Sequence, residues 1–331
     1  MSRHHLSQII AVLFLLLSTT LCAQNKKLVF TPQWLPQAQF AGYYVALEKG
    51  FYSELNLDVV IQHPPANVPA QNFLADGKAD IVSLFLVTAM KERMRGTSIV
   101  NIAQMSEHSS IVFVARKSSG IETLYDFESR KVGVWKSGFE EVPKALLAAK
   151  NIDVNWIPIL SSVNLFLSGG IDLMTVMWYN EYNQIYLCGI DEEDLSSFFL
   201  KDYGYDIPED GLYVTEETYL NRKDDLKAFV QGTIKGWKYV AENREEALEI
   251  VIKQMKRARI PASEAHQRWM LEKILEVQGF EGGGTKNLIL TEESFSRTLE
   301  VINADVKSDN YQLIWSDFSK PVVKTFNLSS K

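Results

Sequence analysis

This sequence predicts an α/β fold in two lobes, joined by a pair of extended strands and completed by a mostly helical C-terminal third. Three observations carry that prediction. Short β-type runs alternate with amphipathic helical stretches between residue 28 and about residue 176, the pattern of parallel strands covered by helices. Polar, glycine-closed turns break the alternation where the chain could pass between lobes. After about Thr215 the apolar spacing becomes helical and stays so. A chain of 331 residues has room for two lobes, and 46% hydrophobic with 23% charged residues is globular material.

Taken in order, the first residues follow a secretory plan. Arg3 gives a positive start, residues 9–17 are an unbroken apolar run, and Leu21-Cys22-Ala23 leads to polar Gln24. The run is too short to span a bilayer. Residues 1–23 are therefore expected to be a signal peptide and the mature protein periplasmic; a lipid anchor through Cys22 is the lesser alternative, since Leu21 precedes it where lipoprotein processing favours Gly, Ala or Ser.

Strands are expected over 28–30, 57–61, 80–83, 98–102, 111–115, 131–134 and 171–176, and helices over 40–49, 69–76, 84–95, 140–149 and 163–167. Lys117-Ser118-Ser119-Gly120 reads as the first crossing, and Pro208-Glu209-Asp210-Gly211 before Leu212-Tyr213-Val214 as the return. The expected lobes are thus 24–116 with 210–331, and 117–209, a hinge plan suited to closing on a small ligand. Leu226, Phe229, Val230, Ile234, Trp237 and Val240 fall at helical spacing, Asn243 with Glu246 reads as a capping box, and 262–277 is a further helix closed by Gly279. Gly282-Gly283-Gly284 reads as a loop, with neither the preceding strand nor the Gly-Lys-Ser/Thr of a phosphate cradle.

Charge and motifs exclude several functions. Asp plus Glu outnumber Lys plus Arg by 41 to 34, and with no basic run nucleic acid is not an expected partner. The histidines His4, His5, His63, His108 and His266 show no metal-ligand spacing, and no nucleophile elbow, Walker or dinucleotide motif occurs. His108 and Ser109 are strand neighbours whose side chains point to opposite faces. No catalytic residue, metal or cofactor is expected. Cys188, the one thiol left after cleavage, lies in a largely apolar stretch and is expected to be buried and inert.

Four aromatic and amide clusters follow strands, at the edge where open α/β sheets bind ligands. They are Gln33-Trp34-Leu35-Pro36-Gln37-Ala38-Gln39-Phe40-Ala41-Gly42-Tyr43-Tyr44, then Leu84-Phe85, then Val134-Trp135-Lys136-Ser137-Gly138-Phe139, and Met177-Trp178-Tyr179-Asn180-Glu181-Tyr182. Any one of these aromatics alone reads as ordinary packing. Together they describe a slot for a flat ring, with candidate ligand-binding residues Trp34, Gln37, Phe40, Tyr43, Phe85, Trp135, Ser137, Gly138, Phe139, Trp178, Asn180 and Glu181. Lys136 is the only cation among them, which disfavours a dianionic phosphate.

Trp34-Leu35-Pro36-Gln37 through Gly42-Tyr43-Tyr44-Val45-Ala46, followed by Glu48-Lys49-Gly50-Phe51-Tyr52, closely resembles the opening motif of the periplasmic thiamine-pyrimidine-precursor binding proteins and their fungal thiamine-pyrimidine synthase relatives. Gly77-Lys78-Ala79-Asp80 and the stretch from Gly170 to Glu181 resemble later motifs of that family. The resemblance implies a type II periplasmic binding fold that delivers ligand to an ABC transporter permease, with Trp34, Tyr43, Trp178 and Glu181 stacking a ring and reading its edge. It also marks departures. Gln37 and Phe40 stand where pyrimidine-handling members carry Asn and His, and nothing matches the synthases' cysteine-rich iron motif.

The expected function is therefore an exported solute-binding protein, not an enzyme. Trp34 and Trp178 are expected to stack a small nitrogenous heteroaromatic while Glu181 accepts from its exocyclic amine. The alternatives are a sensor module reporting to a membrane partner, and a binding protein for another small solute of the sulfonate or nitrate type.

Overall fold

The computed structural model describes residues 26–65, 68–135, 138–160, 162–282, 284–305 and 312–329. The expected signal peptide with Cys22, and Lys136 and Ser137 of the third cluster, lie outside the described residues. In chain order the elements are β1 (Lys26–Thr31), α1 (Ala41–Glu48), β2 (Leu57–Ile61), α2 (Ala70–Ala75), β3 (Ile81–Phe85), α3 (Leu86–Met94), β4 (Ile99–Gln104), β5 (Ile111–Arg116), β6 (Lys131–Trp135), α4 (Glu141–Ala149), β7 (Asn155–Ile159), α5 (Asn164–Leu167), β8 (Leu173–Met177), α6 (Glu181–Leu187), β9 (Leu195–Phe199) and β10 (Asp210–Thr215). There follow α7 (Glu216–Asn221), α8 (Lys223–Glu242), α9 (Arg244–Arg257), α10 (Glu264–Val277), β11 (Thr285–Asn287), α11 (Glu292–Asp305), α12 (Trp315–Phe318) and β12 (Thr325–Asn327).

Two mixed sheets of five strands form the lobes, ordered β2-β1-β3-β10-β4 and β7-β6-β8-β5-β9. Within each, strands linked by a helix run parallel, as a crossover connection requires. The strands entering from the other lobe, β10 and β5, run antiparallel to their neighbours. The second sheet corrects the expected lobe boundary. Strand β5, assigned above to the first lobe, pairs with β8 and β9 in the second, so the crossing precedes it and the Lys117–Ser119 turn is an internal bend of the second lobe. The polar, Gly-closed composition of that turn fits either place; the partner strands decide.

Glu209 ties the two crossings together, accepting hydrogen bonds from the Ser109 hydroxyl at 2.7 Å and the Ser110 amide at 3.0 Å. Two other expectations change. Asn243 precedes α9 without a side-chain cap, because Glu246 is engaged by Lys49 and by the Tyr239 hydroxyl instead. Cys188 is exposed, since it follows α6 on a turn whose flanking Ile185 and Ile190 take the buried positions.

The first lobe is closed by α8 crossing α1 at two helical glycines. A Cβ on Gly236 would lie 2.1 Å from the Gly42 carbonyl oxygen and 2.8 Å from the Ala46 Cβ, and one on Gly42 would meet the buried Trp237 ring at 2.3 Å. Gly236→Ala should therefore lower the melting temperature. The overpacking cost of about 1–3 kcal/mol, at its upper end because backbone must shift, outweighs the ~1 kcal/mol that alanine gains in helix propensity; an unchanged melting curve would show that the helices separate freely.

Candidate functional site

Against the second-lobe sheet lies a narrow gap with no room for a water molecule, whose lining includes Ile111, Trp135, Phe139, Thr175, Met177 and Glu181. The loop after β1 reaches it through an amide relay. Gln37 Nε2 donates to Gln39 Oε1 at 2.7 Å, and Gln39 Nε2 donates to Asp210 Oδ2 at 2.9 Å. Gln33 donates to the other oxygen of Asp210. The Gln33 amide is pinned on Ser83 and the Ala38 amide on Gln267, which fixes the loop against β3 and α10.

Three carboxyl groups are buried here. Burial pushes Glu181 up to about 7, offset in part by the Met177 amide that donates to it. Burial likewise pushes Asp210 up to about 6, against the pull of Gln39 and Gln33. Glu209 rises to about 8, first from burial and further from the charge of Asp210, despite its bonds to Ser109 and Ser110. The hydroxyl of buried Tyr179 sits in the fields of all three, and that of Tyr43 in the field of Asp210. Among the described residues no Lys, Arg or His side chain bonds to any of the three carboxyls.

The walls are aromatic and come from both lobes. Trp34 meets Trp135 edge-on at 6.1 Å, Phe85 meets Phe139 at 4.6 Å, and Trp135 lies 5.7 Å from Phe139. The indole N–H of Trp135 is buried without a hydrogen-bond partner, a donor that costs free energy until something accepts from it. The lobes touch on both sides of the gap. On one side Lys91 pairs with Glu141, and Gly138 lies so close to Thr88 that a Cβ would be 2.3 Å from its hydroxyl oxygen. On the other, Trp269 Nε1 donates to the Trp178 carbonyl at 3.0 Å, and His266 bonds to Asn183 and Asn180 at 2.8 and 3.1 Å. This is a closed arrangement.

The expected residues divide accordingly. Trp34, 40% exposed, stands at the mouth; Phe85, Trp135, Phe139 and Glu181 come together around the gap, and Gly138 forms part of the interlobe contact. Gln37 acts one step back, through Gln39. Asn180 orients Glu181, donating to it at 2.7 Å. The ring of Tyr43 belongs to the lobe core, against Phe30, Phe229 and Trp237.

Two residues do not join the slot. Phe40 is buried against His63. Trp178 packs edge-on to Phe199 at 5.5 Å with the Lys273 ammonium 4.1 Å over its ring. Glu209, Asp210 and Tyr179 were not anticipated as site residues. Tyr179 lies within the fourth aromatic cluster, and Glu209 and Asp210 within the stretch read as the return crossing between lobes.

A wider groove of about 510 Å³ lies on the flank of the first lobe, outside the gap, lined in part by Leu35, Pro36, Tyr44, His63 and Arg257. There the His63 Nδ1–H donates to the Trp34 carbonyl and the Tyr44 hydroxyl donates to Nε2, and burial pushes the imidazole down to about 4. A neutral ring thus staples the loop that carries Trp34. Among the described residues no three His, Cys, Asp or Glu side chains are grouped to hold a metal ion, and no helix is long and apolar enough to cross a membrane.

Comparison with known proteins adds to this geometry. A protein-family model described as NMT1/THI5 like matches residues 37–247. The formylaminopyrimidine-binding protein of Halalkalibacterium halodurans is 24% identical over 289 residues, covering 82% of this chain and 84% of that protein. The 4-amino-5-hydroxymethyl-2-methylpyrimidine phosphate synthase of Legionella pneumophila is 21% identical, covering 69% and 73%. In three dimensions the periplasmic aliphatic sulphonate binding protein SsuA from Escherichia coli superposes with a TM-score of 0.67 at 13% identity, covering 84% of this chain and 91% of that one. At that identity the likeness is one of fold: a periplasmic binding protein fold of two lobes.

Proposed function

The chain belongs to the NMT1/THI5-like family, and on that premise we propose that it is an exported solute-binding protein of an ABC import system whose lobes close on a 4-aminopyrimidine of the thiamine-precursor type. The observation that carries this reading is a buried acceptor and a buried, unpartnered donor on two residues that line one gap, Glu181 and the indole N–H of Trp135. An aminopyrimidine edge presents their complement, an exocyclic amine beside a ring nitrogen. Glu181 has spent two of its roughly four acceptor sites on Met177 and Asn180, leaving about two for a ligand. The aromatic walls cover the ring faces. The buried carboxyls disfavour sulfonates and nitrate, which the shared fold alone would admit.

The similarity to a synthase supports a second reading, an enzyme of pyrimidine formation. Phe40 weighs against it, since it stands where the resemblance places the synthases' His and packs against His63 instead.

Thermal shift and calorimetric titration of residues 24–331 with 4-amino-5-hydroxymethyl-2-methylpyrimidine, an alkanesulfonate and nitrate test the proposal. A ligand at a hundred times its Kd stabilises by about 2.7 kcal/mol, so a binder is easily seen. The aminopyrimidine should stabilise the protein and the anions should not; binding of an anion alone would overturn the reading.

A further inference from the structure

We propose that His266 is a positioning residue for ligand recognition: reaching across from the first lobe, it fixes the Asn180 amide that in turn aims Glu181, so that the carboxylate takes its reading position only when the lobes are closed. This rests on the ring reading given above and adds to it the residue that couples closure to recognition of the exocyclic amine.

The first turn of α10 touches the ligand loops of both lobes. Ser263 caps it, its hydroxyl accepting from the His266 amide at 3.4 Å. Gln267 Oε1 accepts from the Ala38 amide at 2.7 Å, inside the loop that carries Gln37 and Gln39. One residue earlier, His266 turns to the second lobe, where its Nε2 lies 3.1 Å from Asn180 Oδ1 and its Nδ1 meets the side chain of Asn183. Three residues on, Trp269 Nε1 donates to the Trp178 carbonyl. Buried Met270, Leu271, Ile274 and Leu275 anchor the helix, which packs on α9 of the first lobe.

Asn180 has one amide oxygen and one N–H2 group to place. Its Oδ1 accepts from Gln184 Nε2 at 3.0 Å and from His266, which leaves its Nδ2 for Glu181 Oε1 at 2.7 Å. The other oxygen of Glu181 is held by the Met177 amide at 3.0 Å. Because Asn180 Oδ1 can only accept, the ring proton of His266 in this contact is on Nε2. Burial lowers the imidazole's pKa below its ordinary 6.5, so at pH 7 the single ring proton serves this bond. Charged side chains on the same stretch of α10 are engaged elsewhere: Glu264 bonds to Arg268, and Arg268 to Glu245 of α9. Opening the lobes removes the His266 donor and leaves Asn180 Oδ1 to Gln184, its neighbour on α6. With one donor instead of two the amide is freer to turn, and the bond that orients Glu181 weakens. A residue that only latched the lobes would favour every ring alike, whereas one that acts through Glu181 favours rings bearing the amine.

The test is calorimetric titration at pH 7 of the mature chain with two probes, 4-amino-5-hydroxymethyl-2-methylpyrimidine and the same ring without its 4-amino group, on the wild type, His266→Ala and His266→Gln. The wild type should prefer the amino probe. His266→Ala should weaken the amino probe about 3- to 30-fold, the range of one hydrogen bond, and the deamino probe by less, so that the preference falls. His266→Gln, whose amide can still donate to Asn180, should restore most of it. In a Glu181→Gln background, His266→Ala should leave the preference where it already stands, since the relay has lost its last member. Should His266→Ala fold poorly, Asn180→Ser, which removes the middle of the relay, must lower the same preference. Equal losses for both probes would reduce His266 to a latch between lobes and overturn the positioning role, as would an unchanged preference, with the ring reading intact in either case. A wild type that binds neither probe, or both alike, would refute the amine reading and this inference with it.

Discussion

Glu181→Gln is expected to weaken aminopyrimidine binding by about 10- to 100-fold while leaving the protein at least as stable as before. The loss follows from the charge-assisted hydrogen bond, worth about 1.5–3 kcal/mol, that a carboxylate makes to the exocyclic amine and an amide makes more weakly. The preserved stability follows from burial. Glu181 pays for desolvation, which is why its carboxyl is pushed up to about 7, and relief of that cost offsets the one hydrogen bond lost, since the single oxygen of glutamine can accept from the Met177 amide but not also from the Asn180 side chain, which donates to the other carboxyl oxygen. Titration calorimetry with a parallel melting curve separates the two effects. Unchanged affinity in a folded variant would remove Glu181 from ligand recognition, whereas a lower melting point at neutral pH would make its role structural.

Raising the pH from 6.5 to 8 is expected to destabilise the empty protein, by at most about 4 kcal/mol if two carboxyls titrate only in the unfolded chain. Glu181 and Glu209, ordinarily near 4.5, are held at about 7 and 8 by burial. Each keeps its proton in the folded state over a range where the unfolded chain has lost it, so the stability it contributes is present at low pH and lost as pH rises through the folded value. Asp210, raised to about 6, acts in the same direction at lower pH. His63, pushed down to about 4, acts in the opposite direction, but only between that value and its ordinary 6.5. Above pH 6.5 the carboxyls dominate. Melting temperatures should fall by several degrees across the window, Glu209→Gln should flatten the fall, and a bound cationic ligand should reduce it by stabilising the ionised carboxylates. A melting point that rises from pH 6.5 to 8 in the unliganded protein would show that these groups are already ionised and solvated.

Much of the fold was legible because its determinants are local. The helix carrying Leu226, Phe229, Val230, Ile234, Trp237 and Val240 buries all six of those positions, as their spacing requires. Strand alternation and turn glycines likewise gave most of the elements of both sheets. The aromatic half of the candidate site was legible for the same reason: Phe85, Trp135 and Phe139 follow strands directly, and the ends of parallel strands face a common cleft.

What the sequence by itself determined, then, is the set of elements, their α/β class and the strand ends that supply the aromatic walls. Which strand crosses between lobes was decided by pairing: β5 belongs with β8 and β9 through contacts more than fifty residues away in sequence. The place of Trp178 outside the gap depends on α10, whose Lys273 lies over its ring and whose Trp269 donates to its carbonyl. The acidic floor is the clearest case. Asp210 beside Gly211 reads locally as the start of the return crossing, and its carboxyl gains its partners only from Gln33 and Gln39, some 170 residues earlier in the chain, which donate to it. Burial and charge pairing are properties of neighbours in space, and a carboxyl's environment, unlike a helix period, is not written in the residues next to it.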